Sequence, residues 1–494
     1  MTDHRVDLAV IGAGPAGMAA ALAAAEAGVR VAVIDAGVRP GGQYWRFPAP
    51  GAGPFRPATL HHGWRRFTST DTRLTELAGT GRVLRLAAHH VWSILPVGEQ
   101  WAVHCARGAE PRQHGTGSPV AVHAARLVLA TGAYDRQLPF PGWELPGVIT
   151  AGGAQALLKG NLVVAGQAVV VAGTGPFLLP VADGLARYGA RVAAVVEANS
   201  PLGFARFPRA VLGATGKLGE ATGYAGRLLR RRVALRHRQV VLRALGTDRL
   251  TGVLVGRLGR DGRVRAGTER QIECDVLAVG WGFTPQLELA LQLGCATRVD
   301  ADRSLVVTVD DDQATSVAGV WAAGEATGVG GADLATVEGR IAGLAAATSL
   351  GADVVPDGRA LRRRRGSLRG FAAAMRQVYP IPEAMLARCS DETLVCRCEE
   401  VDAGRIRRAV VELGATEARI VKLLARPGMG WCQGRVCGFA TACLTARHAG
   451  RAVAEPDLRA FAERPIATPM PLGQLATPPG DVAADGEPGS DLQW

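Results

Sequence analysis

The sequence predicts an α/β fold with two parallel-sheet units followed by a small helical domain. Residues 6–35 and residues 168–197 each run from an apolar strand through a glycine turn and a helical stretch into a second apolar strand. Near residue 396 the long apolar runs give way to short helical segments. The chain has 494 residues, enough for three domains of roughly 150 residues each.

The first unit carries the pattern GxGxxG between its strand and its helix. Gly12, Gly14 and Gly17 permit a tight turn, a close backbone approach to a pyrophosphate and close helix packing. The N-terminus of the following helix presents free N–H groups and a positive dipole end to phosphates. Asp35 ends the next strand, where a carboxylate accepts hydrogen bonds from ribose hydroxyls. The first unit is therefore predicted to be a Rossmann-like domain that binds an adenine dinucleotide.

The second unit repeats this pattern incompletely. Gly173 and Gly175 match the first two glycines, but Leu178 stands at the third position, where close helix packing favours glycine. Glu197 at the strand end favours NAD over NADP, since a carboxylate repels a 2′-phosphate. The pattern predicts a second Rossmann-like domain and leaves open whether it binds NAD(P) or serves only as a scaffold.

Four of the nine cysteines form two pairs. Cys396 and Cys398 form CxC, and Cys432 and Cys437 form CxxxxC. Positions i and i+2 of an extended segment point to the same side, so both thiolates of the first pair can face one cluster. Four cysteinates suit a 2Fe-2S centre, and structural zinc, whose pairs usually have about two to four intervening residues, is the alternative. The isolated cysteines expected to be buried apolar side chains are Cys105, Cys274 and Cys295.

Two further features belong to the helical domain. Asp402 and Thr416 are predicted helix N-caps. The second cysteine pair lies among four glycines, which we expect to let backbone N–H groups approach the sulfurs. These glycines are Gly428, Gly430, Gly434 and Gly438.

Longer motifs add a resemblance to known families. GAGPAG, PGGQYWR, LATGAYDRQLPFPG and GVWAAGEA resemble the motifs of two-domain FAD-dependent pyridine-nucleotide oxidoreductases. CRCEEV and RPGMGWCQGRVCG resemble the bacterioferritin-associated-ferredoxin-like 2Fe-2S domain. With PGVITAGGAQALLK and AGTGPFLLPVA, the resemblance extends to the α subunits of heteromeric amine and amino-acid dehydrogenases, including opine oxidases, hydrogen cyanide synthases and hydroxyproline or proline dehydrogenases. The CxxC pair of thioredoxin-reductase-like members is absent, which argues against disulfide reduction.

The resemblance implies FAD in the first domain and a 2Fe-2S cluster in the third. The residues expected to bind FAD are Gly12, Gly14, Pro15, Ala16, Gly17, Asp35, Gly41, Gly42, Gln43, Thr131, Gly132, Gly324 and Glu325. The late motif of the superfamily normally ends in Gly-Asp, which contacts the flavin ribityl chain, whereas here it ends in Gly324-Glu325. The expected cluster ligands are Cys396, Cys398, Cys432 and Cys437, and a second nucleotide would contact Gly173, Gly175 and Glu197.

The resemblance also implies a subunit that relays electrons. A partner β flavoprotein subunit would oxidise an amino acid, opine or secondary amine, and this chain would pass the electrons to an acceptor. A small ferredoxin-like subunit is a further implied partner. No side chain stands out as a substrate acid or base. Two alternatives stay open, a self-sufficient NAD(P)H-dependent FAD reductase of an electron carrier and a docking platform with a vestigial flavin site.

Composition limits the remaining classes. The net charge is +12, but the arginines are scattered, which favours solvated surfaces over a nucleic-acid site. No apolar run reaches about 18 residues and no signal-peptide pattern is present, so we expect a cytoplasmic protein without a membrane span; peripheral membrane association stays open. The predicted domains are residues 1–150 with 296–350 (FAD), 151–295 (second dinucleotide-binding-like), 351–388 (helical linker), 389–463 (2Fe-2S) and 464–494 (disordered tail).

Overall fold

The computed structural model of the protein describes residues 2–107, 120–353, 358–470 and 475. The first part of the chain forms β1 (Thr2–Ile11), α1 (Pro15–Glu26), β2 (Val31–Ile34), α2 (Pro57–Leu60), α3 (Trp64–Gly79), β3 (Val83–Leu86), β4 (His89–Val97), β5 (Gln100–Arg107), β6 (Val120–Leu129) and β7 (Ala133–Asp135). Their sheet has the order β3-β2-β1-β6-β5-β4. β3, β2, β1 and β6 are parallel neighbours, whereas β4, β5 and β6 pair antiparallel.

The second part forms a second sheet. Its elements are β8 (Val148–Thr150), α4 (Ala151–Asn161), β9 (Ala168–Gly173), α5 (Leu178–Arg187), β10 (Arg191–Glu197), α6 (Pro208–Leu212), α7 (Thr215–Arg230), β11 (Ala234–His237), β12 (Gln239–Leu245), β13 (Gly252–Arg257), β14 (Arg270–Glu273), β15 (Val276–Gly280), β16 (Phe283–Pro285) and α8 (Glu288–Gln292). The parallel order is β11-β10-β9-β15-β8, and β12, β13 and β14 form a separate antiparallel sheet. β16 pairs with β7 and so joins the two units.

The chain then returns to the first sheet. It forms β17 (Thr297–Val299), β18 (Leu305–Val307), β19 (Val320–Ala322) and α9 (Ala332–Ser349). β19 pairs parallel with β6, with Val320 beside Leu127. α9 crosses α1 very closely, since a Cβ on Gly339 would lie 2.0 Å from the carbonyl oxygen of Ala16. Glycine on α9 therefore allows the two helices to pack backbone to backbone.

The last part is mostly helical. It contains α10 (Gly358–Val378), α11 (Ala384–Ala387), β20 (Leu394–Cys396), β21 (Val401–Asp402), α12 (Ala403–Val411), α13 (Ala418–Ala425), α14 (Gly438–His448) and α15 (Glu455–Ala462). Asp402 caps α12 as predicted, accepting from Arg405 N at 2.7 Å. The predicted cap at Thr416 is wrong: Glu417 holds the N-cap position of α13 without a side-chain bond. Asp457 from α15 instead accepts from Ala418 N at 3.1 Å.

The segment after α15 packs against the first two units as far as it is described. Ala467 N donates to the carbonyl of Trp92 at 2.8 Å, and Gln292 Nε2 donates to the carbonyl of Pro465 at 2.8 Å. The predicted tail, residues 464–494, therefore begins with ordered residues, and residues 471–474 and 476–494 of that prediction lie outside the described residues. Among the described helices, none has the length and apolar character needed to cross a bilayer.

Candidate functional site

A large cavity of about 1320 Å³ opens where the two parallel sheets meet. Most residues expected to bind FAD line it, namely Gly12, Gly14, Pro15, Ala16, Asp35, Gly42, Gln43, Thr131, Gly132, Gly324 and Glu325. Gly17 and Gly41 are not part of this lining. The structure thus brings segments that are far apart in the sequence to one cavity, and this cavity is large enough for a dinucleotide.

The first glycine turn is packed too tightly for side chains at two of its three glycines. Gly12 has φ +106°, and a Cβ there would lie 2.3 Å from the carbonyl oxygen of Ala130. A Cβ on Gly17 would lie 1.7 Å from the carbonyl oxygen of Gly12. At Gly14 the nearest atom would be Gly42 Cα at 3.9 Å, so this glycine leaves room on the cavity side. The turn therefore has the open cradle that a pyrophosphate requires.

Asp35 holds this turn in place. Its Oδ2 accepts from Ala13 N at 2.5 Å and its Oδ1 accepts from Gly37 N at 2.6 Å. Burial raises the pKa of this carboxyl, and the two N–H donors oppose that effect. A carboxylate offers about four lone-pair sites, so Asp35 can accept ribose hydroxyls as well.

The late motif is organised by residues that the sequence analysis missed. Glu325 Oε1 accepts from Gly331 N at 2.9 Å, at the start of α9, and burial raises the pKa of Glu325 to about 7. Gly324 N donates to Oε2 of Glu338 at 3.0 Å, and Arg369 lies 2.7 Å from the other oxygen of Glu338. The longer acid at position 325 is therefore tied to its own glycine loop. Glu338 is fully buried, but in the sequence it is an ordinary acid in a helical stretch, so no sequence signal indicated its role.

In the second unit, Gly175 and Glu197 line the large cavity but Gly173 does not. Glu197 accepts from Gly175 N and Asn199 N, both at 2.8 Å, and burial raises its pKa to about 7. Leu178 fits at the third glycine position because Gly280 stands opposite, where a Cβ would lie 3.2 Å from the Leu178 side chain. The carboxylate that was predicted to favour NAD over NADP thus already accepts hydrogen bonds within its own turn.

The helix α10 and the segment that follows it cover the edge of this second turn. Asn199 Nδ2 donates to the carbonyl of Pro380 at 2.8 Å, and the rings of Phe204 and Phe371 stack with centroids 5.7 Å apart. Space for a second nucleotide is therefore bounded by the segment that leads into the cysteine-rich domain.

Where thioredoxin-reductase-like proteins carry their CxxC, α4 begins with small residues. Its N-cap Thr150 accepts from Gly153 N at 2.8 Å and donates to Asp135 Oδ2 at 2.7 Å. A Cβ on Gly152 would lie 2.4 Å from that carboxyl group. Burial raises the pKa of Asp135, which also lines the large cavity. The position holds a hydrogen-bonded carboxyl in place of a thiol pair.

The four paired cysteines meet as two sulfur pairs. Cys437 acts on the pKa of the Cys396 thiol and Cys432 acts on that of Cys398, which places the two sulfurs of each pair near each other. Among the described residues, no group of three or more His, Cys, Asp or Glu side chains converges on one point as a single metal ion requires. Two pairs suit two irons with two thiolates each, which is the arrangement of a 2Fe-2S centre.

The local geometry differs from the extended CxC that the sequence predicted. Only Cys396 belongs to β20, whereas Cys398 lies in the turn before β21. Cys396 is 1% exposed and Cys437 is 2% exposed, but Cys398 is exposed and Cys432 is half-buried. One side of the predicted cluster site therefore faces the protein interior and the other faces solvent.

The glycines around the second pair have several roles. Gly428 N approaches Cys396 Sγ at 3.4 Å, as predicted. A Cβ on Gly430 would instead lie 2.3 Å from the Cβ of Cys398. Gly434 and Gly438 lie against the ring of Phe461, where a Cβ would come within 2.7 and 2.8 Å of it. Most of these glycines therefore permit close packing, and one directs an N–H group at a sulfur.

The donors around Cys396 favour a negatively charged sulfur. The Cys437 hydrogen bond, followed by the N–H groups of Gly428, Glu399 and Cys398, lowers the pKa of Cys396 to about 6 against the effect of burial. Thiolate is the form that binds iron. The donor set and the pairing of the sulfurs therefore fit a 2Fe-2S cluster.

The cysteine-rich domain directly contacts the large cavity lined by the residues expected to bind FAD, which we call the flavin cavity. Tyr134 lines that cavity, burial raises its pKa, and Cys432 lies near enough to add to that shift. The guanidinium of Arg136, another lining residue, lies 4.2 Å from the ring centre of Phe439 at the start of α14. Trp143 Nε1 donates to the carbonyl of Leu394 at 2.6 Å. One wall of the cavity is thus also the surface on which the cysteine-rich domain sits.

Comparison with known families agrees with this geometry. The sequence profile of the pyridine nucleotide-disulphide oxidoreductase family matches residues 6–350, and that of the BFD-like [2Fe-2S] binding domain matches residues 394–444. The sequence-based predictions of FAD in the Rossmann-like part and of a 2Fe-2S cluster in the helical part are confirmed.

Characterised relatives cover nearly the whole chain. An opine oxidase subunit of Agrobacterium tumefaciens is 33% identical over 489 residues, which is 97% of this chain and 93% of that protein. The HcnB subunit of hydrogen cyanide synthase from Pseudomonas aeruginosa is 32% identical over 438 residues, covering 87% of this chain and 90% of that protein. The resemblance to α subunits of amine and amino-acid dehydrogenases is confirmed.

Solved structures show the same fold. The L-proline dehydrogenase from P. horikoshii superposes with a TM-score of 0.67 at 21% identity, covering 96% of this chain and 80% of that one. The thioredoxin reductase of T. acidophilum superposes with a TM-score of 0.50 at 20% identity, covering 70% of this chain and 99% of that one. The chain therefore belongs to the pyridine nucleotide-disulphide oxidoreductase family, as an FAD-dependent oxidoreductase that carries a C-terminal BFD-like 2Fe-2S domain.

Proposed function

We propose that this chain is the electron-relaying subunit of an amine or amino-acid dehydrogenase complex. Its partner would be a flavoprotein subunit that oxidises an amino acid, opine or secondary amine, and this chain would pass the electrons to an acceptor. Relatives at 32–33% identity are named as subunits of opine oxidase and hydrogen cyanide synthase, which supports a heteromeric enzyme. FAD takes up two electrons as a hydride, whereas a 2Fe-2S cluster carries one electron at a time.

The observation that carries the proposal is the wall shared by the flavin cavity and the cysteine pairs. Tyr134 lines the cavity on one side and lies within the electrostatic reach of Cys432 on the other. Arg435, three residues after Cys432, forms a 2.8 Å ion pair with the buried Glu288 of the second unit. This pair, together with the Arg136–Phe439 contact, fixes the cysteine-rich domain at the cavity wall.

The solvent side of the cysteine-rich domain suits a protein partner. Trp431, next to Cys432, is 85% exposed, and the same domain exposes further large apolar side chains. These are Val411, Leu413, Ile420, Leu423 and Leu424. Exposed aromatic and aliphatic side chains mark protein contact surfaces. Electron exchange with a partner would therefore take place at the exposed Cys398 and Cys432 side of the cluster.

We assign FAD to the cavity-lining residues predicted from the sequence and the cluster to Cys396, Cys398, Cys432 and Cys437. Within this assignment, the turn around Gly14 holds the pyrophosphate, and Asp35 holds that turn in shape. The domain boundaries, with an FAD domain of residues 1–150 and 296–350, a second domain of residues 151–295 and a 2Fe-2S domain of residues 389–463, are part of the proposal.

The test is substrate-dependent reduction of a one-electron acceptor by the complex purified from its native host. Cys432→Ser is expected to retain FAD but to lose acceptor reduction, because one iron loses a thiolate ligand. Cys389→Ser is the matched control, since Cys389 lies in the same domain outside the pairs and its sulfur donates to the Pro139 carbonyl, as a serine hydroxyl also would. Iron and acid-labile sulfide content is measured for each variant.

Two results would contradict the proposal. Acceptor reduction at the wild-type rate in Cys432→Ser would show that electrons leave without the cluster. Purification of the chain without any flavoprotein partner, with full amine oxidation by the chain alone, would contradict the subunit role.

A further inference from the structure

A second, smaller cavity of about 460 Å³ lies where the three parts of the protein meet. Its wall includes β8 and α4 of the second unit, the segment after β7, and Arg397 from between the two cysteines of CxC. Ligand pockets in proteins commonly have volumes of roughly 300–1,000 Å³. No residue of the first glycine turn lines this cavity, so it is separate from the place where FAD phosphates are held.

The charges around the cavity are one-sided. Three arginines line it, and no aspartate or glutamate does. Arg136 is neutralised by Asp302 at 3.1 Å. In the part of the chain that the structure describes, neither Arg46 nor Arg397 forms an ion pair, although Glu144 lies near enough to Arg397 to act on its pKa. Two guanidinium groups without an ion-pair partner therefore line a cavity whose wall contains no carboxylate, which favours an anionic occupant.

Both arginines are held in position while most of their donors stay unused. The guanidinium of Arg397 stacks over the ring of Trp143 at 4.0 Å and donates to that residue's carbonyl oxygen. Arg46 Nη2 donates to Gln43 Oε1 at 2.7 Å. A guanidinium has five N–H donors in a planar fork that matches a carboxylate. The two residues are therefore oriented by neutral partners and can bind an anion through their remaining donors.

Two lining residues also carry buried donors without partners. Trp281 and Arg136 are each 2% exposed, and among the described residues neither Nε1 of Trp281 nor Nε of Arg136 has a hydrogen-bond partner. A buried donor without an acceptor costs free energy, so such groups usually indicate a missing partner. The rest of the lining is largely apolar or aromatic, including Leu138, Phe140 and Val279.

We propose that this cavity is a binding site for a small organic carboxylate with an apolar or aromatic body. The arginines supply charge-assisted hydrogen bonds to the carboxylate, and the aromatic and aliphatic side chains enclose the rest of the molecule. The site shares Arg46, Arg136 and Trp281 with the lining of the flavin cavity, so an occupant would lie beside the flavin. The proposal does not depend on electron relay, because binding can be measured directly.

The test is calorimetric titration of the FAD-loaded, cluster-containing protein with benzoate, at an ionic strength fixed with sodium chloride. Saturable binding of one benzoate per chain is expected, with a change in the flavin absorbance spectrum. Benzamide, which is nearly isosteric but uncharged, is expected to bind about tenfold more weakly or worse, since it lacks the charge-assisted bonds. Inorganic phosphate is titrated as a compact anion without an apolar body.

Two variants address the wall itself. Arg397→Gln is expected to weaken benzoate binding about tenfold or more. Trp281→Phe keeps an aromatic ring but removes the N–H, and it is expected to weaken benzoate binding by a smaller factor of roughly three. Because Arg397 lies between two cluster ligands, iron content is measured for its variant, and Trp281→Phe tests the site without touching the cysteine pairs. Arg426→Gln is the control, since Arg426 lies in the same domain but pairs with Glu399 outside the cavity.

The outcomes separate the explanations. Binding of benzoate over benzamide, weakened in both variants and unchanged in Arg426→Gln, supports the proposal. Absence of saturable benzoate binding would overturn it and would leave Arg397 as a counter-charge for the cluster alone. Equal affinity for benzamide, or tighter binding of phosphate than of benzoate, would overturn the assignment to carboxylates.

Discussion

Replacement of Glu338 by glutamine is expected to weaken the flavin domain by about 3 kcal/mol. Glu338 is fully buried and receives hydrogen bonds from Gly324 N at 3.0 Å and from Thr327 Oγ1 at 3.1 Å, while Arg369 lies 2.7 Å from its second oxygen. Removing one member of a buried ion pair costs about 3–5 kcal/mol, because the other charge is left without compensation. The Arg369 side chain retains 23% exposure, so water offsets part of this cost and the lower end of the range applies.

The burial of the Glu338–Arg369 pair leads to a second expected result. Burial raises the pKa of Glu338 and lowers that of Arg369, so desolvation opposes charge on both partners. The pair is therefore stable only while both charges are present. Once Arg369→Gln is present, adding Glu338→Gln is expected to lower the free energy of unfolding by less than it does in the wild-type protein. The double-mutant cycle should show a coupling free energy of roughly 1–3 kcal/mol.

Urea unfolding followed by flavin fluorescence is the assay, since release of FAD reports the domain that contains Gly324. Arg362→Gln is the control, because Arg362 lies on the same helix as Arg369 but pairs with Asp312 at the surface, and no change in the midpoint is expected. A shift of less than about 1 kcal/mol in Glu338→Gln, or additive losses in the double variant, would refute the reasoning.

Three other predictions concern the nucleotide-binding units. Gly17→Ala is expected to abolish FAD retention, because its Cβ would lie 1.7 Å from the carbonyl oxygen of Gly12. Gly14→Ala, whose Cβ would lie 3.9 Å from the nearest atom, should fold and bind FAD more weakly than the wild-type protein. Equal FAD content in the two variants would contradict this prediction. Burial raises the pKa of Glu325 from 4.5 to about 7, so between these pH values the folded state binds more protons than the unfolded state. The free energy of unfolding should therefore fall as the pH rises from about 4.5 to 7. Glu325→Gln should flatten that slope in thermal melts, and an unchanged slope would count against it. NADH is expected to leave the flavin absorbance unchanged, because the segment at Pro380, bonded to Asn199, covers the edge of the second turn. Rapid bleaching would favour the NAD(P)H-dependent reductase instead.

Local patterns in the sequence were sufficient for the parts of the site that depend on backbone conformation. The turn at Gly12 and Gly17 is recognisable because Gly12 has a positive φ and both glycines lie too close to carbonyl oxygens for a Cβ to fit. The cysteine pairs are recognisable because iron requires thiolates, whatever the surrounding fold. Such features need no knowledge of which distant segments come together.

Long-range partners could not be predicted in this way. Glu338 reads as an ordinary helical acid until the fold places Gly324 and Arg369 beside it. Thr416 has the right side chain for an N-cap, but Asp457 from α15 reaches Ala418 N and makes that cap unnecessary. In both cases a tertiary contact decides which of several locally acceptable arrangements forms.

Arg397, the residue between Cys396 and Cys398, helps to hold the small cysteine-rich domain in a defined position on the two Rossmann-like units. Arg397 lies in the sequence between two proposed ligands, Cys396 and Cys398, and its guanidinium stacks on Trp143, whose indole N–H donates to the carbonyl of Leu394. Trp143 belongs to the segment after β7, the strand that joins the two Rossmann-like units by pairing with β16. A displacement of the cysteine-rich domain would break the stacking contact and leave the Leu394 carbonyl unpaired at the same time. The segment that we propose as a cluster ligand is therefore also the segment that sets the position of the cysteine-rich domain against the flavin cavity. If the proposal holds, ligand geometry and domain position cannot change independently.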